Sequence, residues 1–172
     1  LYTCCSAQGV RGLFNAWTNA VTTDANGLSV NLLINHLSKD AIVRSWLPHE
    51  GRLEIIPSRD GAVGARVPSW LDERTLEITI DGTPANPSFL NSTRAEVANV
   101  SAGSKVVYRF PLCKNKTQEV VLGTEYTADW VGDTVMAISP VGSRAPLYRR
   151  NRQAGKTISV VEKTIPDIAF KL

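Results

Sequence analysis

The sequence is short of the residues on which several classes of protein depend. It has 3 cysteines and 2 histidines in 172 residues. Three is an odd count, and Cys4 and Cys5 are neighbours whose geometry disfavours a bond between them. A disulfide framework is therefore a poor reading, and a reduced or metal-bound pair a better one; reduced thiols favour a cytoplasmic setting. His36 and His49 have no Ser or Cys and acid at catalytic spacing, so a Ser-His-Asp triad has no support. No acidic cluster resembles a calcium loop.

Long hydrophobic runs are missing too. No stretch approaches the roughly 18 consecutive apolar residues of a membrane helix, the longest candidate being broken near Asp129 and Gly132, so no membrane partner is expected. Charge of one sign is equally scarce. The 19 basic and 16 acidic residues leave a formal charge of +3, and no run gathers it into the stripe that nucleic-acid binding requires. Arg144, Arg149, Arg150 and Arg152 form a modest basic patch, better read as a solvated face or an interdomain contact. The first residues, Leu1 to Cys5, show neither an initiator Met nor the basic and apolar regions of a signal peptide, which suggests a cut inside a longer reading frame.

What is present suffices for a core: 43% of the residues are hydrophobic and 20% charged, enough for one domain or one domain plus an appendage. Sequons at Asn91, Asn99 and Asn115 are patterns short enough to arise by chance. Val10, Leu13, Phe14, Trp17 and Val21 recur at spacings of three and four, which predicts an amphipathic helix over residues 6–21 with Ser6 as its cap. Asp24, Asn26 and Gly27 supply the stop, so the boundary is placed at 1–23 against 24–172.

Beyond it, short β-branched and aromatic segments alternate with turn residues: 28–34, 41–46, 52–56, 62–67, 75–80, 94–100, 105–110, 119–122, 126–130 and 134–139, with a last candidate at 157–161. Ser58-Arg59-Asp60-Gly61 and Asp81-Gly82-Thr83-Pro84 carry hairpin chemistry, and adjacent antiparallel strands are expected from them. The fold class that results is mainly β, an antiparallel β-sandwich with an N-terminal amphipathic helix, and the region after about residue 122 allows a second, incomplete module.

Cys4-Cys5 ahead of the helix is the sharpest chemical feature. Free N–H groups at a helix N-terminus lower a thiol pKa, and a thiolate is both a nucleophile and a zinc ligand. Two cysteines fall short of the roughly four ligands of a tetrahedral zinc site, and two small side chains in a core remain the plain alternative. Trp46, Trp70 and Trp130 are core residues or sugar-gripping faces, the core being the commoner use. Cys113 reads as a strand-end residue, and Arg11 as a cation that orients a site or, the commoner use, makes a structural ion pair.

Thr3-Cys4-Cys5-Ser6-Ala7-Gln8-Gly9-Val10-Arg11, followed by Ala16-Trp17, resembles the Cys-Cys-x-x-x-x-x-Arg segment of the β-L-arabinofuranosidase family of glycoside hydrolases. Ser45-Trp46-Leu47-Pro48-His49-Glu50-Gly51, Ala65-Arg66-Val67-Pro68-Ser69-Trp70, Gly132-Asp133-Thr134 and Pro146-Leu147-Tyr148-Arg149-Arg150 are similar in order and spacing to that family's sandwich region. The resemblance spans residues 1–152. It implies an upstream (α/α)-barrel whose last helix is residues 1–23, with the sandwich region at 24–172. It further implies that Cys4 is nucleophile and zinc ligand, that Cys5 is a zinc ligand, and that a Glu, a Cys and the acid/base Glu lie upstream. The partners implied are that barrel and a carbohydrate substrate. The isolated chain is then expected to hold zinc poorly, to be inert, and to self-associate through its uncovered packing surface. The rival is a non-catalytic carbohydrate-binding or interaction module; an upstream Glu-x-Cys segment with a further Glu distinguishes the two.

Overall fold

Turn chemistry recurs through most of the sequence, and the strands fall between those turns. The computed structural model describes the backbone of residues 3–90 and 93–141, and their side chains from residue 7 onward. The chain divides into two units, Leu1–Pro140 and Val141–Leu172. The basic patch at Arg144–Arg152 and the candidate strand at 157–161 lie outside the described residues.

Helix α1 runs Thr3–Thr18, three residues earlier at both ends than the expected 6–21. Its C-terminus is closed by side chains: Asn19 Nδ2 donates to the Asn15 carbonyl at 2.8 Å and Thr18 Oγ1 to the Phe14 carbonyl at 3.0 Å. The β-branched run Val21–Thr23 then forms strand β1, pairing with β2, Gly27–Val30. Asp24 to Gly27 is thus the turn of a hairpin and not the end of a helix; Asp24 Oδ1 accepts from the backbone N–H of Asn26 at 2.7 Å and of Gly27 at 3.0 Å.

The remaining strands are β3 His36–Leu37, β4 Ala41–Ser45, β5 Arg52–Pro57, β6 Gly61–Arg66, β7 Glu77–Ile80, β8 Thr83–Ala85, β9 Ser88–Leu90, β10 Arg94–Val100, β11 Val106–Arg109, β12 Lys114–Val121, β13 Thr124–Val131 and β14 Thr134–Ser139. They form a five-stranded sheet in the order β1-β2-β6-β10-β9, a six-stranded sheet β3-β4-β5-β11-β7-β8, and a three-stranded meander β12-β13-β14. The first two make the sandwich. Leu28, Val30, Val63, Ala65, Ala95 and Val97 of one sheet meet Val43, Leu53, Ile55, Ile78, Val106 and Tyr108 of the other in a single buried cluster. Each fully buried Leu or Ile there, Leu53 and Ile55 among them, contributes roughly 1.5–3 kcal/mol.

Asp81-Gly82 is the tight turn its sequence predicts, joining β7 to β8 with φ of 50° and 84°. Ser58–Gly61 is not a hairpin. Its backbone and side chains bond elsewhere: Ser58 N–H donates to the Asp40 carbonyl, Arg59 donates to the Asp24 carbonyl at 2.9 Å, and Asp60 accepts from Ala102 N–H at 2.8 Å. The segment therefore carries the chain from one sheet to the other, and β6 pairs in parallel with β2, the exception to an otherwise antiparallel set.

Candidate functional site

Cys4 and Cys5 lie within the first turn of α1 rather than ahead of it, because the helix begins at Thr3. First-turn N–H groups have no partner inside a helix and carry partial positive charge, so the backbone there still favours a thiolate. Arg11 falls further along the helix than a Ser6 start would put it; it is exposed, and no ion pair to it occurs among the described residues.

The helix turns its apolar stripe away from the sandwich. Val10 is 67% exposed, Leu13 73%, Phe14 63% and Trp17 50%. Trp17 reaches across, its ring tilted on that of His36 at a centroid distance of 4.7 Å. His36 is buried, its Nδ1 has no hydrogen-bond partner among the described residues, and desolvation lowers its pKa, which favours the neutral imidazole. His49 sits in the β4–β5 loop, held by its own N–H to the Trp46 carbonyl.

The other tryptophans are engaged as packing residues. Trp46 lies under the Arg52 guanidinium, 3.6 Å from its ring centroid. Trp70 packs against the core, 6.1 Å from the Phe110 ring, and its Nε1 donates to Asp133 Oδ1 at 2.8 Å. Trp130 Nε1 donates to Thr117 Oγ1 at 2.9 Å on the meander. Cys113 is an exposed free thiol just ahead of β12. Among the described residues no group of three or more His, Cys, Asp and Glu side chains is placed to hold a metal ion, and no helix is long and apolar enough to cross a membrane.

A cavity of about 370 Å³ is lined by Asp24, Asn26, Ser29, Leu90, Arg94 and Glu96, together with Gly27 and Leu28. Sequence reasoning missed it, because its walls come from strands β2 and β10, some 65 residues apart in sequence, that reach it only by flanking β6. The signal that was available was the outward pair Arg94 and Glu96 alternating with core residues Ala95 and Val97.

No protein-family model matches the chain, and no curated protein matches it. Solved structures do. A chain described as a glycoside hydrolase superposes with a TM-score of 0.56 at 20% identity, covering 77% of this chain and 24% of that one. A GH127 β-L-arabinofuranosidase from Geobacillus stearothermophilus T6 superposes with a TM-score of 0.51 at 19% identity, covering 69% of this chain and 21% of that one. The fold is therefore a β-sandwich of the kind carried by glycoside hydrolase chains, and this chain spans less than a quarter of either neighbour.

Proposed function

We propose that the chain is the C-terminal portion of a glycoside hydrolase resembling β-L-arabinofuranosidase, with Cys4 as the nucleophile of a retaining reaction. The likeness of the sandwich to a β-L-arabinofuranosidase, joined to the Cys4-Cys5-to-Arg11 segment, carries the reading. On this reading the Cys4 sulfur bonds to the anomeric carbon as the glycosidic C–O bond breaks, and the leaving oxygen takes its proton from a Glu upstream of this chain. Water then displaces the sulfur with the same Glu acting as base. This segment would supply the thiols of Cys4 and Cys5 to a zinc ion, about half of a tetrahedral site. Zinc bound there would keep the thiols ionised near neutral pH. The exposed stripe Val10-Leu13-Phe14-Trp17 is the surface on which the upstream helices of an (α/α)-barrel would pack.

The test compares the 172-residue chain, a polypeptide extended upstream, and its Cys4→Ser and Cys5→Ser variants on an aryl β-L-arabinofuranoside, with bound zinc measured in parallel. The extended enzyme is expected to turn over, the short chain to be inert, Cys4→Ser to abolish turnover and Cys5→Ser to lose metal first. Full activity in Cys4→Ser would leave the second reading, a carbohydrate-binding module. That reading is favoured by the polar cavity on the outer face of the first sheet.

A further inference from the structure

On the outer face of the five-stranded sheet, one missing side chain lets two others lie across a strand. Gly64 of β6 is paired with Ser29 of β2 on one side and Glu96 of β10 on the other, and Glu96 in turn with Ser88 of β9. Its neighbours Val63 and Ala65 point into the core, so position 64 faces outward. With no Cβ there, the side chains of Arg94 and Glu96 lie across the strand; Arg94 Cδ and Glu96 Oε2 come within 3.4 Å of where a Cβ would stand. They line the cavity together with Asp24, Asn26 and Ser29 of the β1–β2 hairpin, and Leu90 adds an apolar wall.

Arg94 and Asp24 are fixed, and the capacity of Glu96 is unspent. Arg94 is oriented by a 2.7 Å bond to Asn31 Oδ1. Asp24 is held by two backbone N–H groups on Oδ1, which also lower its pKa and keep it an acceptor. The Glu96 carboxylate accepts no hydrogen bond and joins no ion pair among the described residues. A volume of about 370 Å³ lies in the range of small-ligand sites.

The chemistry selects the ligand class. Two carboxylates repel an anion, and the guanidinium of Arg94 in the same cavity opposes a cation. An apolar ligand would strand five polar side chains. A neutral ring that offers hydroxyl donors and acceptors around its edge and an apolar C–H face to Leu90 satisfies all of them. We propose that this cleft is a saccharide-binding site, taking one neutral sugar ring at a place separate from any cysteine chemistry. It deepens the binding-module reading by giving that module its site, and it stands whether or not Cys4 is a nucleophile.

The test is a ¹⁵N-detected NMR titration of the 172-residue chain with L-arabinose, D-galactose and methyl β-L-arabinofuranoside. At least one is expected to give saturable shifts at the amides of Asn26–Ser29 and Arg94–Glu96. Glu96→Ala, which removes a carboxylate without a protein partner, and Gly64→Val, which lifts both side chains off the strand, are each expected to weaken binding about tenfold with the spectrum otherwise preserved. If Gly64→Val does not fold, Glu96→Ala alone decides. Absence of saturable shifts with all three sugars, shifts mapping elsewhere, unchanged affinity in Glu96→Ala, or a response to calcium chloride alone would each overturn the proposal.

Discussion

The Trp70 indole N–H donates to the Asp133 carboxylate across 2.8 Å, and this bond ties the segment after β6 to the β13–β14 turn. Beside it, Gly132 presents bare backbone to the Trp70 ring: a Cβ there would stand 3.0 Å from the ring's Cζ2. The meander is therefore latched to the sandwich by one aromatic side chain and one carboxylate. Asp133→Ala should cost about 1 kcal/mol, the modest value of an exposed bond to a charged acceptor. Asp133→Asn, which keeps an acceptor oxygen, should recover most of it; urea melts followed by tryptophan fluorescence measure both.

Tyr108 supplies a pH-dependent prediction. Its hydroxyl crosses the sandwich to the carbonyls of Val63 at 3.1 Å and Ala95 at 3.2 Å, and the residue is 2% exposed. Burial raises its pKa above the ordinary 10.0. The unfolded chain then releases the phenolic proton near pH 10 while the native state retains it. Stability from this group is complete below pH 10 and declines above it, by up to about 1.4 kcal/mol per pH unit. Tyr108→Phe should lose about 1–2 kcal/mol at pH 7. Above pH 10 the gap between the two proteins should narrow; a gap constant from pH 7 to 11 in denaturant melts would count against the buried hydroxyl.

Gly51 gives a steric prediction. Its N-terminal neighbour Glu50 pairs with Arg109, and its own carbonyl accepts from Phe110 N–H at 2.9 Å. A Cβ at this position would run into the Phe110 carbonyl, backbone just past β11 whose own N–H is bonded to Gly51. Gly51→Ala should therefore lower stability by at least about 2 kcal/mol, whereas Gly82→Ala, strained in φ but open in space, should cost about 1 kcal/mol. Thermal melts of the two variants side by side test the ordering.

The uncovered stripe on α1 should make the chain self-associate. Leu13 and Phe14, 73% and 63% exposed, are the largest contributors. Leu13→Gln with Phe14→Gln should shift sedimentation toward monomer and leave the melting temperature unchanged, because neither side chain packs on the sandwich. A fall in stability instead would mean that these residues do contact it.

Most strands were legible because their side chains alternate between core and solvent, as Leu53, Ile55 and Pro57 do against Arg52, Glu54 and Ile56. Four short ones, β1, β3, β8 and β9, were not, since two or three residues give too little period to recognise. Ser58–Gly61 misled for a different reason: Asp-Gly chemistry specifies a turn, but which strand the chain then meets is decided by bonds to Asp24 and Ala102, 35 and 42 residues away. The helix start was misjudged because Ser6 is a good cap in isolation, whereas the helix begins at Thr3, and a cap signal alone fixes a boundary only to within a few residues. Of the candidate site, the cysteine pair was legible as a motif, whereas the cleft around Glu96 required knowing that β2 and β10 flank the same glycine.

The parallel pairing of β2 with β6 has a bearing on how the molecule assembles. The meander joins only sequence neighbours, through turns of two residues, and can close within microseconds by local diffusion. The five-stranded sheet must instead bring residues 27–30 beside 61–66 and those beside 94–100, closing two loops of about thirty residues before β6 gains its two neighbours. Sequence separation of this size slows folding, so the sheet that holds the Glu96 cleft should form after the meander.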